Sequence, residues 1–176
     1  MICLLLGLTE EELQSFSQVY IVACGSAYHV GVACQYVLED LAQLPVRVDL
    51  ASEFRYRSMP LDPNGLVIVI SQSGETADSL AALRLAKKKG LKTLGIVNVV
   101  GSSIAREADN VFYTLAGPEI AVATTKAYST QLIAGYCLAV QFALVRGCIS
   151  QGRYQDLIPA SSVFLSKSRR YLDDQG

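Results

Sequence analysis

Short runs of β-branched and aliphatic residues alternate along this chain with longer stretches of helical periodicity, the pattern of parallel βαβ units. The runs cover 19–23, 46–50, 66–70, 93–97 and 111–115, which predicts five strands. The third run, Leu-Val-Ile-Val-Ile, has no polar position. A strand of that kind is covered by helices on both faces and belongs at the centre of its sheet. Helices are predicted over 27–41, 76–89, 125–146 and 154–172. The second has the clearest ends: Glu75 and Asp78 near its start, Lys87, Lys88 and Lys89 in its last turn, and Gly90 for the left-handed position beyond it. Because parallel crossovers are right-handed, the expected fold is α/β, a three-layer sandwich around a five-stranded parallel sheet with flavodoxin-like order. Segments 1–18 and 150–176 lie outside the alternation, so the expected organisation is an N-terminal arm (1–18), an α/β domain (19–149) and a linker helix (150–176).

Composition narrows the function classes. The chain is 51% hydrophobic and 18% charged, which excludes a disordered or low-complexity segment. Fifteen Lys and Arg against sixteen Asp and Glu give a net charge of −1, with no basic surplus for nucleic acid or an anionic membrane. The nearly apolar run 132–145 contains Gly135 and Gln141 and falls short of the roughly 18 residues a spanning helix needs, so a buried helix is expected. No basic residue precedes the opening apolar run, so no secretory signal is expected. Five cysteines without a C-x-x-C pair or metal-ligand spacing fit a reducing compartment, with the cytoplasm as the default and neither metal nor cofactor implied.

Ligands of doubly wound sheets bind outside the carboxyl ends of the strands, which directs attention to three loops. After the third strand comes Ser71-Gln72-Ser73-Gly74-Glu75-Thr76, leading into a helix N-terminus. Hydroxyls, a carboxamide and the unpaired N–H groups of a first helical turn can all donate to phosphate oxygens, and the helix dipole adds positive potential. The loop has no Lys or Arg and no P-loop spacing, so a monophosphate held by neutral donors fits better than a nucleotide. The same Ser and Thr residues also serve as helix caps, and the sequence leaves both roles open. After the first strand, Cys24-Gly25-Ser26-Ala27-Tyr28-His29 repeats the strand-to-helix turn without a full dinucleotide fingerprint. Cys24 is expected as a wall of the site, since a nucleophile needs a positioned base, and His29 as a packing or surface residue. The third loop, 116–126, contains Val122, Thr124 and Lys126; a Lys at a helix start is normally solvated.

These loops, with Ala51-Ser52-Glu53-Phe54-Arg55-Tyr56-Arg57 and the string Ser71-Gln72-Ser73-Gly74-Glu75-Thr76-Ala77-Asp78, resemble the SIS (sugar isomerase) fold. More narrowly, they resemble the first of the two SIS halves of the glutamine:fructose-6-phosphate aminotransferase (glucosamine-6-phosphate synthase) family. The resemblance implies a sugar phosphate held at Ser71, Gln72, Ser73 and Thr76, with further contacts at Cys24, Gly25, Ser26, Val122 and Thr124. Ala27 and Thr124 each stand where the family usually has Ser. The family makes glucosamine 6-phosphate from fructose 6-phosphate and glutamine. Its ammonia comes from a separate glutaminase domain with an N-terminal cysteine, a part Cys3 cannot play behind Met1 and Ile2. Its isomerase base, ring-opening His and reactive Lys belong to the second SIS half and the tail, so no catalytic residue is expected in this chain. The implied partners are the sugar phosphate, the second SIS half, the glutaminase domain and further copies in a homo-oligomer. Two rival readings share the pocket: a stand-alone sugar-phosphate sensor, and a single-SIS aldose–ketose isomerase using Glu75 as base. At a helix start, Glu75 is instead expected to be ionised and engaged with backbone donors.

Overall fold

The computed structural model describes residues 7–118 and 126–158. Five parallel strands, β1 (Gln18–Ala23), β2 (Val46–Leu50), β3 (Gly65–Ser71), β4 (Lys92–Val97) and β5 (Asn110–Tyr113), form one sheet in the order β2-β1-β3-β4-β5. β3 is central, and all seven of its residues are buried, as its uninterrupted apolar run requires. The chain leaves β1 toward β2 on one side and then enters β3 on the other. The carboxyl ends of β1 and β3 therefore make the topological switch point of the sheet.

Helices α1 (Glu10–Ser15), α2 (Ser26–Ala42) and α6 (Lys126–Val145) cover one face, and α3 (Ala51–Tyr56), α4 (Ala77–Lys88) and α5 (Ser103–Glu107) the other. The alternation along β3 divides the core accordingly. Leu66, Ile68 and Ile70 pack with Val30, Leu38, Leu138 and Phe142 of α2 and α6, while Val67 and Val69 pack with Phe54, Ala82 and Leu83 of α3 and α4. α6 carries the predicted apolar run, and it packs against α2 at Gly135. A Cβ there would lie 1.9 Å from Cys34 Sγ, so only glycine permits the approach. Burial among these helices pushes the Cys34 thiol up to about 12.

Several local features follow the sequence. α4 ends at Lys88 with Lys89 as C-cap, and Gly90 adopts φ +77°. β5 stops at Tyr113, two residues short of the predicted end, because the chain turns at Leu115 with φ +49°. Three short helices were outside the predicted set. α1 is closed by a capping box between Thr9 and Glu12, and Leu8, Leu13 and Phe16 bring this N-terminal segment into the core. α3 holds the Glu53-Phe54-Arg55 segment: Phe54 is fully buried, and Arg55 reaches Asp78 in the first turn of α4 at 2.7 Å. Residues 151–158 are helical, overlapping the start of the predicted fourth helix, whose remainder lies outside the described residues.

Candidate functional site

A cleft of about 260 Å3 opens at the switch point, above the ends of β1 and β3. Its floor is Ile70 and Ser71 from β3. One wall is the turn Cys24, Gly25, Ser26 and Ala27 between β1 and α2, and the opposite wall is Gln72, Ser73 and Thr76 leading into α4. Seven sequence-predicted positions, Cys24, Gly25, Ser26, Ser71, Gln72, Ser73 and Thr76, thus meet in one place. Val122 and Thr124, also expected there, lie outside the described residues, as does Thr125, while Lys126 is the first residue of α6.

The backbone of the loop after β3 is fixed from behind. The carbonyl of Gln72 accepts from the N–H of Asn98 at 3.1 Å, and the carbonyl of Gly74 accepts from Ile104 N–H at 3.0 Å, so β4 and α5 hold the loop's rear face. Gly74 takes φ +67°, and a Cβ on it would stand 2.0 Å from Ser102 Oγ. Only glycine lets the loop lie this close to the start of α5. Within the loop, Ser71 Oγ accepts from Gly74 N–H at 3.1 Å and Ser73 Oγ accepts from Glu75 N–H at 3.2 Å. Both hydroxyl oxygens are thereby used as acceptors, and the Ser73 proton stays available to a ligand.

Thr76 is the N-cap residue of α4, yet its side chain caps nothing. Its Oγ1 lies 3.2 Å from Ser71 Oγ instead, and one proton of that hydroxyl pair remains to be donated outward. The Gln72 carboxamide makes no hydrogen bond with the described residues. None of the loop's hydroxyls serves α4 as a side-chain cap: they bond within the loop, and Ser71, Ser73 and Thr76 line the cleft. The first-turn N–H groups of α4 lack intrahelical acceptors, as in any helix, and its dipole points its positive end the same way. Among the described residues, no Lys or Arg lines the cleft. Such a site suits a single phosphate monoester, met by neutral donors and a helix end.

Glu75, the one carboxylate of the loop, does not line the cleft. Its Oε1 accepts from the backbone N–H of Ser103 at 2.7 Å, and the Ser103 hydroxyl and N–H together hold its carboxyl below the usual carboxylate range. It is ionised and engaged with a backbone donor, as its place at the helix start implies. Cys24 is a half-buried wall residue whose Sγ accepts from Ser79 Oγ at 3.6 Å. His29 is exposed on α2 and stacks edge-on with Tyr28, outside the cleft. One polar lining residue was not foreseen. Gln131 of α6 enters the cleft from the α2 side, and its signal in the sequence was a polar residue on the face otherwise made by Ala127, Ala134 and Leu138.

The SIS domain model matches residues 12–141. The chain is 52% identical over 170 residues to the glutamine–fructose-6-phosphate aminotransferase (isomerizing) of Caldanaerobacter subterraneus subsp. tengcongensis, covering 97% of this chain and 28% of that protein. It is 56% identical over 150 residues to the protein of the same name from Clostridium tetani, covering 85% and 25%. The chain thus spans about a quarter of the length of these curated relatives. Among solved structures it resembles the C-terminal domain of glucosamine-fructose-6-phosphate aminotransferase from Francisella tularensis, with TM-score 0.84, 38% identity and coverage of 87% of this chain and 44% of that one. It also resembles a glucosamine-6-phosphate deaminase from Thermotoga maritima, with TM-score 0.70, 25% identity and coverage of 90% and 51%.

Proposed function

The chain belongs to the SIS domain family, and from that membership we propose that it is the first, sugar-phosphate-binding SIS half of a glutamine–fructose-6-phosphate aminotransferase that makes glucosamine 6-phosphate. The observation that carries this is the loop Ser71–Thr76. It offers hydroxyl and carboxamide donors and a helix N-terminus to the cleft, and among the described residues no Lys or Arg lines it. The phosphate of fructose 6-phosphate sits at Ser71, Gln72, Ser73 and Thr76. The turn Cys24, Gly25 and Ser26, with Val122 and Thr124, borders the sugar.

The high identity to proteins of that name, along nearly the whole of this chain and a quarter of theirs, supports the assignment to one part of such an enzyme. The remaining parts are a second SIS half, reached through the 150–176 linker, and a glutaminase domain that supplies ammonia. The working protein is a cytoplasmic homo-oligomer without cofactor or metal. This half binds and orients the substrate, while the proton-transfer groups reside in the second half.

Thermal unfolding of the chain with fructose 6-phosphate, fructose and inorganic phosphate at matched ionic strength tests the reading. A ligand bound only by the folded state stabilises it by about 2.7 kcal/mol at a hundredfold excess over Kd. Fructose 6-phosphate is expected to raise the midpoint and fructose to leave it unchanged. Equal shifts from the two sugars would refute the phosphate-loop assignment.

A further inference from the structure

Gln131 is buried to 2% exposure on α6, and it lines the cleft, yet its Nε2 has no hydrogen-bond partner among the described residues. A buried amide donor without an acceptor is costly, and native structures rarely keep one without a use. The same helix shows the ordinary solution at Gln141, equally buried, whose Oε1 accepts from the Tyr154 hydroxyl at 3.0 Å. The other unpartnered buried polar atoms among the described residues, Ser102 Oγ and Asn110 Oδ1, are not part of the cleft lining.

The layers of the fold say which part of a ligand this donor meets. β3 divides the cleft: α4, with the loop Ser71–Thr76, rises from one face of the sheet, and α6 with α2 from the other. A ligand whose phosphate rests against the α4 N-terminus extends across the end of β3 toward α6. Resting on the sugar-phosphate reading above, we propose that Gln131 donates through Nε2 to an oxygen of the sugar itself, a hydroxyl or the open-chain carbonyl. It is thereby the residue of this half that distinguishes a sugar phosphate from phosphate alone. Its Nε2 is already shielded from water in this site, so a ligand oxygen that a turn of the side chain brings within reach gains a hydrogen bond with little further desolvation.

The test compares the 176-residue chain with Gln131→Met, which keeps the length of the side chain and removes the donor, and with Gln131→Leu as a second apolar variant. Titrations follow fructose 6-phosphate and inorganic phosphate separately. The expected result has three parts: both variants keep or raise the midpoint of the unliganded chain, since an unpaired buried polar atom is gone; they bind fructose 6-phosphate about tenfold more weakly; and they bind inorganic phosphate as the parent does. Unchanged affinity for fructose 6-phosphate, or equal weakening toward both ligands, overturns the role of Gln131 and leaves the phosphate loop standing. A parent chain that gives no response to fructose 6-phosphate overturns the sugar-phosphate reading and this inference with it.

Discussion

Glu75 Oε1 and the backbone N–H of Ser103 lie 2.7 Å apart, joining the loop after β3 to the first turn of α5. The carboxylate thus serves the loop's shape from outside the cleft, and Ser103 receives it where a helix start favours negative charge. Together with the bonds from Asn98 to Gln72 and from Ile104 to Gly74, it makes the loop a rigid cradle before any ligand arrives.

The depressed acidity of Glu75 gives the first prediction. Its folded-state pKa lies below that of the unfolded chain, so its ionised form contributes stability above the ordinary carboxylate value of about 4.3. That contribution is lost as pH falls through the lower folded value. The difference in thermal midpoint between the parent chain and Glu75→Gln should therefore be full at pH 7 and shrink as the pH falls below the ordinary carboxylate range. A gap that stays constant as the pH is lowered would mean that the charge on Glu75 does nothing for the loop.

Ser73 and Thr76 separate loop shape from ligand binding. Ser73 Oγ holds Glu75 N–H, whereas among the described residues Thr76 Oγ1 is bonded only to Ser71 and caps no helix. Thr76→Ser is expected to bind fructose 6-phosphate nearly as the parent does. Thr76→Ala should weaken binding by about 1–3 kcal/mol with little loss of midpoint, because a charge-assisted donor is removed and no cap is lost. Ser73→Ala should show both effects, a weaker ligand response and a midpoint lowered by about 1 kcal/mol in stability. The assignment fails if either alanine variant lowers the midpoint while the ligand-induced shift stays at the parent's value.

The fold was legible where the sequence repeats a period and illegible where an element is too short to have one. All five strands, the central place of β3 and the 2-1-3-4-5 order follow from β-branched runs and the handedness of crossovers. α3 and α5, of six and five residues, bury only Ala51 and Phe54 in the first and Ile104 in the second, too few positions to mark a helical face. The site was legible where loop and strand end coincide, as at Ser71–Thr76. Gln131 was hidden because it lies in an apolar helix far along the chain from both loops. Only the packing of α6 against α2, at the Gly135–Cys34 contact, carries it to the switch point.

The last prediction concerns chemistry in this chain alone. Interconverting fructose 6-phosphate and glucose 6-phosphate needs a base that reaches a carbon-bound proton at C1 or C2 and an acid that opens the ring, each supplying about 10²–10⁴-fold. Among the described residues, the groups lining the cleft are hydroxyls, carboxamides, a thiol and backbone. Glu75 is committed to Ser103, and His29 is exposed on α2 away from the cleft. The thiol of Cys24 accepts from Ser79 and has no carboxylate or imidazole beside it in the lining to serve as its base. The isolated chain incubated with fructose 6-phosphate in deuterated water is therefore expected to leave the sugar's C1 protons unexchanged by NMR, with or without added ammonia, even at concentrations that saturate the thermal shift. Deuterium incorporation that disappears in Glu75→Gln would make Glu75 a catalytic base after all and this chain an isomerase in its own right.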